Sequence, residues 1–172
     1  MYKVATISYS LDTGGAGIAA NNIKKLLDSN KASFKIESIT QDHAGKLQFL
    51  KRLISYGLSR FQFDGNPIKH SLNLFSYKPV LKSFKNTEDI IHHLHWLNND
   101  TLSILDFDKI PSGSIITLHD EWLYCGSEHI YKINDDSNDF IHGYHYLKKG
   151  VFGINWNFLI WKVKLKKLEH RN

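Results

Sequence analysis

One cysteine and three prolines are all that 172 residues hold of either. A single Cys125 excludes an internal disulfide framework, and no basic segment leading into an apolar run opens the chain, so a reducing, cytoplasmic setting is expected. No apolar stretch approaches the roughly 20 residues that cross a bilayer, so no helical membrane span is expected. Acidic residues are scarce only at one end. Residues 148–172 carry seven Lys/Arg against one acid, Glu169, while the residues before them hold 15 basic and 16 acidic side chains. A nucleic-acid binder would spread basic residues over a face of the folded body, so a neutral body with a basic tail argues against DNA or RNA as a partner.

What is present suffices for a core. With 42% apolar and 13% aromatic residues, the length suits one domain spanning 1–172. Residues 4–8 read as a buried strand, and Ile18, Ala19, Ile23, Leu26 and Leu27 mark a helix packed on a sheet. Residues 34–39 alternate as a second strand, and residues 47–61 carry Leu47, Leu50, Leu53, Ile54, Leu58 and Phe61 at helical spacing. Pro67 and Pro79 break the pattern between 63 and 83, which reads as loop with a short strand. A strand at 90–95, a short helix at 102–107 and a strand at 114–118 complete the alternation. Alternating elements of this kind imply an α/β fold, a mostly parallel sheet with helices on both faces.

Gly14, Gly15 and Gly17 stand between the first strand and the first helix. Glycines at such a turn let backbone approach a ligand closely, and the free N–H groups of a helix's first turn favour phosphate-like anions. The spacing fits neither a Lys-bearing phosphate loop, since no Gly-Lys-Ser/Thr follows, nor the full dinucleotide fingerprint, since its last glycine is missing. A tight turn that packs helix on sheet needs the same residues, and both readings stand.

Parallel sheets bind ligands beyond the carboxyl ends of their strands. Two further polar clusters fall there, His95-Trp-Leu-Asn-Asn99 and His119-Asp-Glu-Trp122. A histidine so placed can exchange hydrogen bonds with a substrate hydroxyl or phosphate near neutral pH, and an adjacent Asp can fix its tautomer; a hydrogen-bonded strand terminus is the plainer alternative. His92, His93, His95, His119, His129, His142 and His145 invite a metal hypothesis as candidate ligands. Adjacent His92 and His93 face opposite sides of a strand, however, and no Cys pair or His-Glu-x-x-His helix appears, so no metal site is expected, with His93 and His95 the one pair able to share a face.

Three stretches, Gly-Gly-Ala-Gly-Ile-Ala-Ala (14–20), Ile-Ile-His-His-Leu-His-Trp-Leu-Asn-Asn (90–99) and Ile-Thr-Leu-His-Asp-Glu-Trp (116–122), occur in the order and approximate spacing seen in glycosyltransferase family 4. Over essentially its whole length the chain resembles the amino-terminal domain of such an enzyme, in particular those of bacterial capsule, exopolysaccharide and colanic-acid biosynthesis. His70-Ser-Leu-Asn-Leu-Phe75 is similar to a stretch that recurs in that group. The resemblance implies a retaining transferase of the GT-B type with two Rossmann-like domains. It would move a sugar from a nucleotide-sugar donor to a saccharide or lipid-linked acceptor, with no metal and no cofactor.

By the same resemblance Gly14, Gly15 and Gly17 approach the donor diphosphate, His119 contacts the transferred sugar near the reacting centre, Asp120 and Trp122 make substrate contacts, and His95 and Trp96 line the acceptor side. Nothing after residue 122 resembles the family's carboxyl-terminal nucleotide-sugar domain, so the chain reads as the first half of an enzyme, weak or inert alone. The alternative is a non-catalytic sugar-binding or scaffold module, or the remnant of a truncated gene. A nucleotide-binding regulator of the response-regulator or flavodoxin type fits poorly, lacking the acidic cluster of the one and the hydroxyl-rich loop of the other.

In the tail, Ile154, Phe158, Trp161, Leu165 and Leu168 share one helical stripe, with Trp156, Leu159, Ile160 and Val163 opposite. One face packs on the domain, with Lys162, Lys164, Lys166 and Lys167 read as a solvated edge. The other suits a missing neighbour or peripheral contact with the inner face of a membrane, where Trp and Lys are at home.

Overall fold

A computed structural model describes residues 2–29, 33–65, 70–85, 89–130, 139–148 and 151–169. Its elements in chain order are strand β1 (Tyr2–Ser8), helix α1 (Gly14–Ser29), β2 (Phe34–Ile39), α2 (Lys46–Ser59), β3 (Gln62–Phe63), α3 (Lys78–Ser83), β4 (Ile90–His95), a 3₁₀ helix (Ile104–Lys109), β5 (Ile115–Thr117), α4 (Asp139–His142), β6 (Phe152–Gly153) and α5 (Trp156–Glu169).

The expected α/β architecture is present. Four strands form a parallel sheet in the order β2-β1-β4-β5, and β3 pairs antiparallel with β6 in a separate ribbon. β1 and β4 are the two central strands, covered on both faces as parallel strands require; Ile7 and Leu94 are fully buried, and so are His92 and His95 of β4. Helix α1 covers one face. Leu72, Val80, Phe84, Leu97, Leu102, Phe107 and Ile160 build the core on the other. The chain runs from β1 outward to β2, then returns to place β4 on the opposite flank of β1. That reversal is a topological switch point, where the connections leaving two neighbouring strands diverge and leave a crevice. Register aligns the strand ends there, Ser8 beside His95 and His95 beside Thr117.

Three local expectations change. Pro79, read as a breaker, lies in the first turn of α3, where its missing N–H costs nothing and its fixed φ suits a helix. In α5, Trp156, Ile160, Val163 and Leu168 pack inward, and the helix lies against the 3₁₀ helix. On the tail's other face Trp161 lies on Tyr144 and Phe158 on Tyr146, while Ile154 and Leu165 remain 38 and 42% exposed. Lys164 is no solvated edge: it is 2% exposed and donates to the carbonyls of Trp122 and Gly126. In α2 the buried positions are Gln48, Ser55 and Ser59, while most of the apolar stripe points away from the domain.

Candidate functional site

A cleft of about 320 Å³ opens at the switch point, with Tyr9, Ser10, Thr13 and residues 14–17 on one side and Trp96 and His119 on the other. Ser8 leads the loop out of β1. Its hydroxyl donates to the Ser10 carbonyl at 2.9 Å, and Ser10 Oγ accepts from the backbone N–H groups of Asp12 and Thr13 at 3.1 and 3.3 Å. These bonds hold the loop before α1 begins.

The three glycines do different things. Gly14 has φ +73°, a left-handed conformation that glycine adopts without the Cβ clash. Gly17 is required by packing, since a Cβ there would lie 2.8 Å from the Ser10 carbonyl oxygen. A Cβ on Gly15 would meet nothing within 4 Å. Of the three, therefore, only Gly15 is required neither by its backbone conformation nor by packing.

Histidines from β4 and from the segment after β5 meet beside it. His93 and His95 share a strand face as alternation requires, their rings 4.0 Å apart, while His92 points the other way onto Phe84 and the Ser83 carbonyl. His93 Nε2 pairs with Thr117 Oγ1 at 2.7 Å, and His95 Nδ1 with His119 Nε2 at 3.0 Å. Burial first, then the neighbouring His93 and His119, pushes the His95 imidazole down to about 4. Burial also lowers His119, partly offset by the Asp120 charge. Both rings are neutral near pH 7.

His95 is fully buried and its Nε2 has no partner. An N–H left unpaired in that position is costly, so the His95 proton sits on Nδ1 and is donated to His119. His119 then accepts at Nε2 and carries its own proton on Nδ1.

Asp120 organises the rest. Its Oδ2 accepts from Trp96 Nε1 at 2.7 Å and pairs with His129 Nδ1 at 2.6 Å, and its Oδ1 accepts from the Trp122 backbone N–H at 3.1 Å. Burial would raise this carboxyl, but the bond to His129 and its charge, with the Trp96 and Trp122 bonds, hold it below the usual carboxylate range. Trp96 adopts φ +41°, unfavourable for a bulky side chain, and the Asp120 bond helps keep it there at the cleft wall.

Protein-family models, curated proteins and solved structures offer no match to the chain.

The structure thus brings Gly14, Gly15, Gly17, Trp96 and His119 to one cleft, with His95 directly behind His119 and Asp120 behind Trp96. Trp122 is elsewhere in kind: 2% exposed, it stacks edge-on against Phe107 and donates its indole N–H to the Ser71 carbonyl at 2.9 Å. One supporting residue enters only through the tertiary structure. His129 bridges Asp120 to the Ser71 hydroxyl at 2.7 Å, which gives the 70–75 stretch a role beneath the site. Among the described residues, no group of three or more His, Cys, Asp or Glu is arranged to hold a metal ion.

Proposed function

We propose that the chain is the acceptor-side half of a retaining glycosyltransferase, moving a sugar from a nucleotide-sugar donor to a saccharide or lipid-linked acceptor in cell-surface polysaccharide synthesis on the cytoplasmic side of the membrane. The observation that carries this reading is the convergence of Gly15 and His119 on one open cleft at the switch point. The first turn of α1 supplies backbone N–H groups and a positive dipole end suited to a diphosphate, and Gly15 leaves room for it to approach.

Glycosyl transfer builds positive charge on the sugar ring. A cationic histidine beside that ring would oppose the transition state. His119, whose titration partial burial lowers, can hydrogen-bond a sugar hydroxyl from Nδ1 without adding charge near pH 7. By the resemblance, a second domain supplies most of the nucleotide affinity, so this chain binds donor weakly.

Saturation-transfer NMR of the chain with uridine- and guanosine-diphosphate sugars tests the reading. Sugar and ribose protons should receive saturation, and His119→Ala should remove the sugar signals while the amide NMR spectrum remains that of the folded domain. Signals absent for every donor, or identical in His119→Ala, would sink it.

A further inference from the structure

Helix α2 is built inside out. Its outward residues Leu47, Phe49, Leu50, Leu53, Ile54 and Tyr56 are 43 to 62% exposed, although an amphipathic helix ordinarily turns such a stripe to the core. The inward side is polar and pegged: Gln48 Nε2 donates to the Asp100 carbonyl at 2.8 Å, Ser55 Oγ to the Asp100 carboxylate at 2.9 Å, and Arg52 to the Tyr9 hydroxyl at 2.8 Å. Rolling the helix to bury its apolar side would strip these partners from buried polar groups. The exposed stripe is therefore its fixed orientation. Phe61, Phe63 and Phe152, in the turn and ribbon that follow, are 54 to 72% exposed and extend it. A contiguous apolar surface of this kind marks an interaction site.

The charges choose the occupant. Residues 43–63 contain Lys46, Lys51, Arg52 and Arg60 and no Asp or Glu. Lys46 and Arg60 are exposed at the two ends of the stripe. A second copy in a two-fold interface would set these cations against themselves. An anionic bilayer complements them, with apolar and Tyr side chains entering the headgroup boundary. At 14 residues α2 can lie on a membrane but not cross it.

We propose that α2 is a membrane-docking helix that lies in the plane of an anionic phospholipid surface, Leu50 and Leu53 at the centre of the inserted face and Lys46 and Arg60 on lipid phosphates. Tyr9, held by Arg52 of this helix, is also part of the cleft wall, so docking sets the cleft beside the lipid surface. The proposal locates peripheral contact on α2, not on the basic tail, and stands apart from the assignment of activity.

Co-sedimentation of the full chain with vesicles of phosphatidylglycerol and phosphatidylcholine, against phosphatidylcholine alone, tests it. The chain should partition to the anionic vesicles, less so in high salt, and amide exchange should slow in residues 46–63. Leu50→Asp/Leu53→Asp should cut the partition about tenfold or more, and Lys46→Glu/Arg60→Glu should remove the preference for anionic lipid, both with melting unchanged. Three results would overturn the proposal: no binding to either vesicle, binding indifferent to Leu50→Asp/Leu53→Asp with no slowing in 46–63, or a dimer in light scattering that this double variant dissociates while vesicles have no effect.

Discussion

Nδ1 of His95 lies 3.0 Å from Nε2 of His119, and the opposite nitrogen of His95 is buried without a partner. That asymmetry fixes where the protons are. Imidazole-nitrogen NMR at pH 7 should therefore find both rings neutral and protonated on Nδ1, with His119 titrating below 6.5. His95→Ala should admit water, raise the His119 titration towards its ordinary value and mix its tautomers. An Nε2-protonated His119 in the wild type would contradict the arrangement.

Acid should unfold the domain through these same groups. The imidazoles of His92, His93, His95 and His119 are all held below 6.5, principally by burial. With the folded-state values lower, the unfolded chain binds more protons as the pH falls, so the stability they contribute is complete above about pH 6.5 and is lost towards pH 4. For His95, a descent from 6.5 to about 4 corresponds to about 3 kcal/mol. Urea titrations at pH 7, 5.5 and 4.5 should show this fall, and His95→Gln should flatten it.

Substitution of neighbouring glycines should separate folding from binding. Gly17→Ala drives a methyl against the Ser10 carbonyl oxygen, which should cost about 1–3 kcal/mol as α1 shifts from the loop. Gly15→Ala meets nothing and replaces glycine with a better helix former, so stability should hold or rise by up to about 1 kcal/mol. Donor binding should nonetheless weaken in Gly15→Ala. Unchanged binding would mean that α1 does not receive the diphosphate.

Lys164 predicts a second pH window. Burial lowers its ammonium from 10.5 to about 7, countered by Glu128. The unfolded chain again binds the extra proton between those values, so stability should rise as pH climbs from 7 towards 10.5. Lys164→Met should abolish that rise. At pH 9 the same variant should lose about 1–3 kcal/mol through the Trp122 and Gly126 carbonyls it leaves unpaired. A retained rise would assign the window to another group.

Local pattern carried much of this protein. The strands at 34–39 and 90–95 were legible to the residue because alternation and short apolar runs are properties of the segment itself. The glycine turn and His119 could be placed at strand ends for the same reason, and a parallel sheet obliges strand ends to share an edge. Helical spacing also located α2 and α5, but a stripe states that a helix has two faces, not which one is buried. Only tertiary structure could decide that. Asp100 draws the polar side of α2 inward, and the carbonyls of Trp122 and Gly126 draw Lys164 into the core, through partners 38 to 52 residues away. The pairing of His95 with His119, and the burial of Trp122 behind Asp120, arise the same way: hydrogen-bond satisfaction and packing are settled between segments, and no periodicity within one segment records them.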